Sequence, residues 1–267
     1  MSVRKEESGR RSVQVEVEVP GTPEEVWQAI ATGPGVSSWF VPTESDERVG
    51  GKVTAHFGPG MDSVAEITAW DPQHRFAAES DGFGPDAPAL ATEWVVEARS
   101  GGTCLVRVVH SLFAANDDWD NQLESIESGW PAFFRILRLY LTDFRGWPSS
   151  IFQIMGGARG ADKEAAWNQL RASLGLTGLN PGQPWNTPAG VPALSGSIDQ
   201  GADGKDPYQL LRVTGPTPGV VFLNACGMGG QVFVNLCFYL YGDGASAAAS
   251  RNEPVWQEWV KQHFPMG

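Results

Sequence analysis

Val13, Val15, Val17 and Val19 alternate with Gln14, Glu16 and Glu18, a period of two that predicts a half-buried strand. Thr22-Pro23-Glu24-Glu25 follows. Thr22 suits an N-cap, Pro23 the first helical position, and Glu25 can close a capping box. The helix this opens carries Val26, Trp27 and Ile30 inward and stops near Gly33-Pro34. Strand patterns then recur at 52–57, 63–70, 74–80, 91–98 and 103–113. Gly58-Pro59-Gly60, Asp71-Pro72, Gly82–Pro88 and Gly101-Gly102 punctuate them as turns, which predicts an antiparallel meander. Over 119–144 the period changes. Leu123, Ile126, Trp130, Phe133, Phe134, Leu137, Leu141 and Phe144 recur at helical spacing and predict one long helix with a broad apolar face. Pro131 lacks an amide donor, so a kink near Gly129 is expected before Arg145-Gly146-Trp147-Pro148 ends the helix.

The second half repeats this plan. A strand at 151–155 precedes a helix opened by Asp162-Lys163-Glu164. Shifted by 140 residues, Thr22, Glu24, Trp27 and Ile30 fall on Asp162, Glu164, Trp167 and Leu170, so cap, acidic first turn, Trp and aliphatic recur in register. Strands are expected near 194–198 and at 208–214, 220–225 and 231–241. A hairpin turn at Gly227-Met228-Gly229-Gly230 joins the last two, and a final helix starts near Asn252. The order strand, helix, meander, long helix defines an α+β helix-grip fold, a curved antiparallel sheet wrapped around its C-terminal helix. The recurrence predicts two tandem copies made by a divergent internal duplication, the alternative being two unrelated modules. The expected division is a flexible tail at 1–11, a helix-grip domain at 12–146 and a divergent second copy at 147–267.

Composition narrows the partners. The net charge of −12 is concentrated in residues 1–147, which hold 12 Lys and Arg against 23 Asp and Glu. Such a surface repels phosphate backbones and anionic lipid, so neither nucleic acid nor a membrane is expected as a partner. The charged start carries no apolar stretch, no run is long enough to span a bilayer, and the three cysteines lie in apolar segments. A cytoplasmic protein with reduced, buried thiols is expected.

Several motifs in order resemble one family. Trp39-Phe40, Arg48-Val49-Gly50-Gly51-Lys52, Ile67-Thr68-Ala69-Trp70-Asp71-Pro72, His110-Ser111-Leu112-Phe113 and Gly129-Trp130 with Leu137 and Tyr140-Leu141 resemble the bacterial homologues of the Hsp90 ATPase activator, within the START-like or SRPBCC superfamily. The resemblance spans about residues 12–146. It implies a ligand-cavity fold without choosing among lipid or hormone binding, polyketide cyclisation and chaperone binding.

The candidate chemistry is sparse. His110 shares an alternating face with Cys104, Val106, Val108 and Leu112, and therefore points inward. It is either a polar anchor or proton donor for a ligand, or a core histidine bonded to a carbonyl. Thr92 and Trp94 share a strand face. With Trp39, Phe40, Trp130, Phe133, Phe134 and Leu137 they form either a cavity wall or ordinary core. Asp117-Asp118-Trp119-Asp120 lacks calcium-loop spacing and reads as acids favoured at a helix start. Gly156-Gly157-Ala158-Arg159-Gly160 lacks phosphate-loop spacing and reads as a strand-to-helix turn. No metal site or cofactor is expected. The leading function is binding of a small hydrophobic molecule. The alternatives are a cyclase, hydratase or hydrolase using His110 on an aromatic substrate, and a chaperone-linked or stress-related interaction with a protein partner.

Overall fold

The computed structural model describes residues 3–58, 60–82, 87–158, 162–228 and 230–266. The chain divides into two compact units, Met1–Arg145 and Gly146–Gly267.

In the first unit, β1 (Arg4–Lys5) and β2 (Arg10–Pro20) precede helix α1 (Pro23–Ala31) and the short helix α2 (Gly33–Ser37). The meander follows as β3 (Thr43–Ser45), β4 (Lys52–His56), β5 (Asp62–Asp71), β6 (Arg75–Ser80), β7 (Leu90–Arg99) and β8 (Thr103–Phe113), and α3 (Asp120–Leu139) closes it. Among the described residues these strands form one antiparallel sheet in the order β1-β2-β8-β7-β6-β5-β4-β3. The first long strand thus lies beside the last. α1 begins as the sequence implies. Thr22 Oγ1 accepts from the Glu25 amide, and the Glu25 carboxylate accepts from the Thr22 amide at 2.8 Å. Its apolar side buries Val26, Trp27 and Ile30.

Three details depart from the expected pattern. The chain does not simply leave the helix at Gly33-Pro34: Thr32 caps α2 by accepting from the Gly35 amide at 3.1 Å. The Gly33–Pro34 pair is a helix start, consistent with proline's fixed φ at a first turn. α3 runs from Asp120 to Leu139 with Pro131 inside it, and widens into a π-helical turn over Tyr140–Phe144. The segment read as a polar tail carries paired backbone, with Arg4 opposite Ser12 and Lys5 opposite Arg11.

In the second unit, β9 (Ser149–Gly157) and α4 (Lys163–Ser173) precede β10 (Pro184–Asn186), β11 (Ser195–Ala202), β12 (Tyr208–Gly215), β13 (Gly219–Met228), β14 (Gln231–Tyr241) and α5 (Ala245–His263). The sheet order is β10-β11-β12-β13-β14-β9. Again the first strand lies beside the last and the meander steps away from it. Each unit is therefore a helix-grip fold, and the two are tandem copies. The 140-residue register holds in three dimensions. Asp162 caps α4 through the Ala165 amide at 2.7 Å and Trp167 and Leu170 are buried, so the three match Thr22, Trp27 and Ile30. A further parallel was not legible beforehand. Trp39 Nε1 donates to the Ala29 carbonyl in the first unit, and Trp185 Nε1 donates to the Leu174 carbonyl in the second.

α5 begins at Ala245, earlier than Asn252. Ala245, Ala248 and Ala249 are buried, and alanine favours helix without producing a strong apolar stripe. Gly156 and Gly157 belong to β9 rather than to a turn. The Gly157 amide donates to the Phe264 carbonyl, and a Cβ on Gly156 would meet Phe264 Cβ at 2.6 Å. The glycines let the end of α5 approach the strand. Arg159 and Gly160 lie outside the described residues, as do Pro59, Gly229 and part of the turn between Gly82 and Pro88.

Candidate functional site

The site of interest lies in the first unit, between the sheet and α3. Thr92 on β7 and His110 on β8 are directly opposed in the ladder. Alternation then aims Trp94 and Val108 to the same side. Trp130 arrives from α3. Its Nε1–H donates to His110 Nε2 at 2.8 Å, and Thr92 Oγ1 lies 3.0 Å from His110 Nδ1. His110 is 6% exposed.

These contacts determine the imidazole's state. An indole N–H only donates, so Nε2 must be the unprotonated acceptor. The ring proton therefore sits on Nδ1 and is donated to Thr92 Oγ1. Desolvation agrees, pushing the pKa of His110 down from 6.5 to about 4. The histidine is neutral near pH 7.

An aromatic cluster surrounds this polar chain. The imidazole stacks on Trp130 at 5.6 Å between centroids. Trp130 packs edge-on to Trp94 at 5.2 Å, against Phe134 at 5.2 Å, and stacks on Phe40 at 5.4 Å. Phe40 meets Phe133 at 4.6 Å, and Trp39 joins Phe40 and Trp94. Leu137 is buried farther along α3. Eight of the nine sequence-selected residues are thus linked by ring contacts or hydrogen bonds, and Leu137 lies on the helix that carries Trp130, Phe133 and Phe134. The structure adds Phe57, which packs edge-on to Phe40 and is exposed. It also adds Phe76, which stacks on Trp94 at 6.3 Å. Phe76 could have been found from its alternation with Ala78 on β6. Phe57 sits at a strand end, where no periodicity marks it.

The helix that brings Trp130 is fixed at its start. Arg11, 7% exposed, reaches from β2 to Asp120 and Asp117, each at 2.7 Å. Lys5 binds the same two carboxylates at 2.8 and 3.0 Å. The acids read from sequence as helix-start residues therefore join the N-terminal strands to α3. Both partners' hydrogen bonds hold the Asp117 carboxyl below its ordinary range.

The three cysteines are free, and burial raises the thiol pKa of each, that of Cys237 to about 12. Among the described residues, no cluster of His, Cys, Asp and Glu is arranged to hold a metal. Among the described residues, no helix is long and apolar enough to cross a membrane. In the second unit, Phe152, Phe238 and Trp256 with Leu194 and Leu240 line a small apolar cleft, together with Thr217 and Asn252.

No curated protein matches the sequence. Among solved structures, the di-domain ARO/CYC BexL from the BE-7585A biosynthetic pathway is similar at 15% identity, covering 96% of this chain and 99% of that chain with a TM-score of 0.45. CalU16 from Micromonospora echinospora is 18% identical, covering 52% of this chain and 80% of that one, with a TM-score of 0.43. The Aha1 dimer from Colwellia psychrerythraea is 19% identical, covering 49% and 96%, also with a TM-score of 0.43. At these values the likenesses are of outline alone. The family model described as Activator of Hsp90 ATPase homolog 1-like protein matches residues 20–142, a stretch that contains Thr92, His110 and Trp130. The likeness to the Activator of Hsp90 ATPase homolog 1-like family thus lies within the first unit and covers less than half of the chain.

Proposed function

We propose that the first unit binds a small hydrophobic molecule with flat apolar surface, between the sheet and α3. Trp39, Phe40, Trp94, Trp130, Phe133, Phe134 and Leu137 supply the contacts, and His110 and Thr92 supply polarity. The observation that carries this reading is the neutral His110, held between Thr92 and Trp130 inside a continuous aromatic cluster. The outer members of the cluster, Phe40, Phe57 and Phe133, are half-buried or exposed, which gives a ligand an approach from solvent. Apolar burial with a few placed polar groups is the usual composition of a small-molecule site.

An acid–base role for His110 is less well supported. Nε2 already accepts from Trp130, and Thr92 rather than a carboxylate lies at Nδ1. A general base needs a free lone pair within reach of its substrate. The family description favours a second reading, contact with a chaperone partner. A contact through the acidic first unit would weaken as salt rises, while apolar ligand binding would change little.

Native mass spectrometry of freshly purified protein, followed by organic extraction, tests the first reading. One small molecule per chain is the expected result. An empty protein that also fails to quench its tryptophan fluorescence with any flat apolar compound would overturn it.

A further inference from the structure

The hydrogen bonds at His110 have a direction, and that direction has a consequence for what the site can recognise. Trp130 Nε1 can only donate, so His110 Nε2 accepts and His110 Nδ1 donates to Thr92 Oγ1. Thr92 is thus the terminus of a one-way chain that starts on α3 and ends on β7. Its oxygen already accepts, and its hydroxyl hydrogen is still to be placed. Among the described residues, Thr92 Oγ1 has no second hydrogen-bond partner. The side chain is half-buried, on the sheet face it shares with Trp94 and opposite Ala78, a small neighbour.

We infer that Thr92 presents a hydrogen-bond donor to the bound molecule, so that the site selects flat apolar ligands carrying an acceptor oxygen, such as an aryl ketone or quinone. The assignment rests on the ligand-binding reading of this site. A chain of aligned donors polarises each successive bond, so the terminal hydroxyl is a better donor than an isolated threonine. A ligand group that can only donate must use the oxygen's remaining lone pair and leaves the hydroxyl hydrogen unpaired.

A matched pair of probes tests this. 9-Fluorenone and fluorene share one tricyclic frame and differ by a carbonyl in place of a methylene. Equilibrium dialysis against the full chain is expected to give about threefold to tenfold tighter binding of fluorenone, the range of one hydrogen bond. In Thr92→Val the ratio of the two affinities should collapse to near one, and in Thr92→Ser it should be retained. Equal affinities in the wild-type protein would overturn the donor assignment and leave the hydrophobic-ligand reading standing. A preference that survives in Thr92→Val would overturn it as well. Binding of neither probe would overturn both.

Discussion

Trp130 Nε1 lies 2.8 Å from His110 Nε2, and the bond ties the long helix to the sheet in a direction that only one imidazole tautomer permits. Protonating His110 would set two donors face to face, so the helix contact and the neutral ring depend on each other. Trp130→Phe keeps an aromatic ring and removes the donor. It should cost about 1–3 kcal/mol, because a buried acceptor loses its partner. Long-range nitrogen NMR of the wild-type imidazole should show the proton on Nδ1. A proton on Nε2 would contradict the geometry.

The pH dependence follows from His110. The unfolded chain takes up this proton near 6.5, and the folded one only near 4. Between those values the unfolded state holds more protons, so stability rises with pH. The contribution is complete above about 6.5 and is lost as pH falls toward 4. The span corresponds to roughly 3 kcal/mol. Urea titrations of wild type and His110→Phe at several pH values should show a steeper fall for wild type between about pH 6.5 and 4.5. Parallel curves would refute the assignment.

Arg11 joins β2 to the start of α3 through Asp117 and Asp120. Arg11→Met keeps much of the buried stem and removes the fork, leaving Lys5 as the cation at both carboxylates. Hydrogen exchange in the first turns of α3 should speed up, and melting should fall by a few degrees, on the order of 2–5 °C. Unchanged exchange at Leu123 and its neighbours would show that the fork does not hold the helix start.

In the second unit, Gly156→Ala places a methyl against Phe264 and Val260 of the α5 end. Overpacking of this kind costs about 1–3 kcal/mol. Denaturation should show the loss, and a neutral result would mean that the α5 terminus moves away freely.

Much of this was legible because the patterns are periodic. The valines of β2, the capping box at Thr22 and the apolar repeat of α3 each carry their own local signal, and the 140-residue register showed the second copy. The inward aim of His110 followed from alternation along β8. Its partners did not. Thr92 reaches it through strand pairing, and Trp130 arrives 20 residues later in the sequence from a different element. β3 and β10 are three-residue edge strands that exist through their partners, too short for any period to show. The start of α5 was hidden by alanines, which are small enough to bury without marking a face.

The sequence by itself determined the order of elements, the duplication, the faces that turn inward and the acidic balance of the first half. These depend on neighbours within a turn or a strand, where side-chain spacing governs the outcome. Only the tertiary structure decided which inward-facing groups touch. It set the tautomer of His110, turned Asp117 and Asp120 from helix-start acids into a clamp for Arg11, and placed Gly156 under Phe264. Each of those depends on contacts between distant segments, and a hydrogen bond's partner and direction are fixed by position in space rather than by separation along the chain.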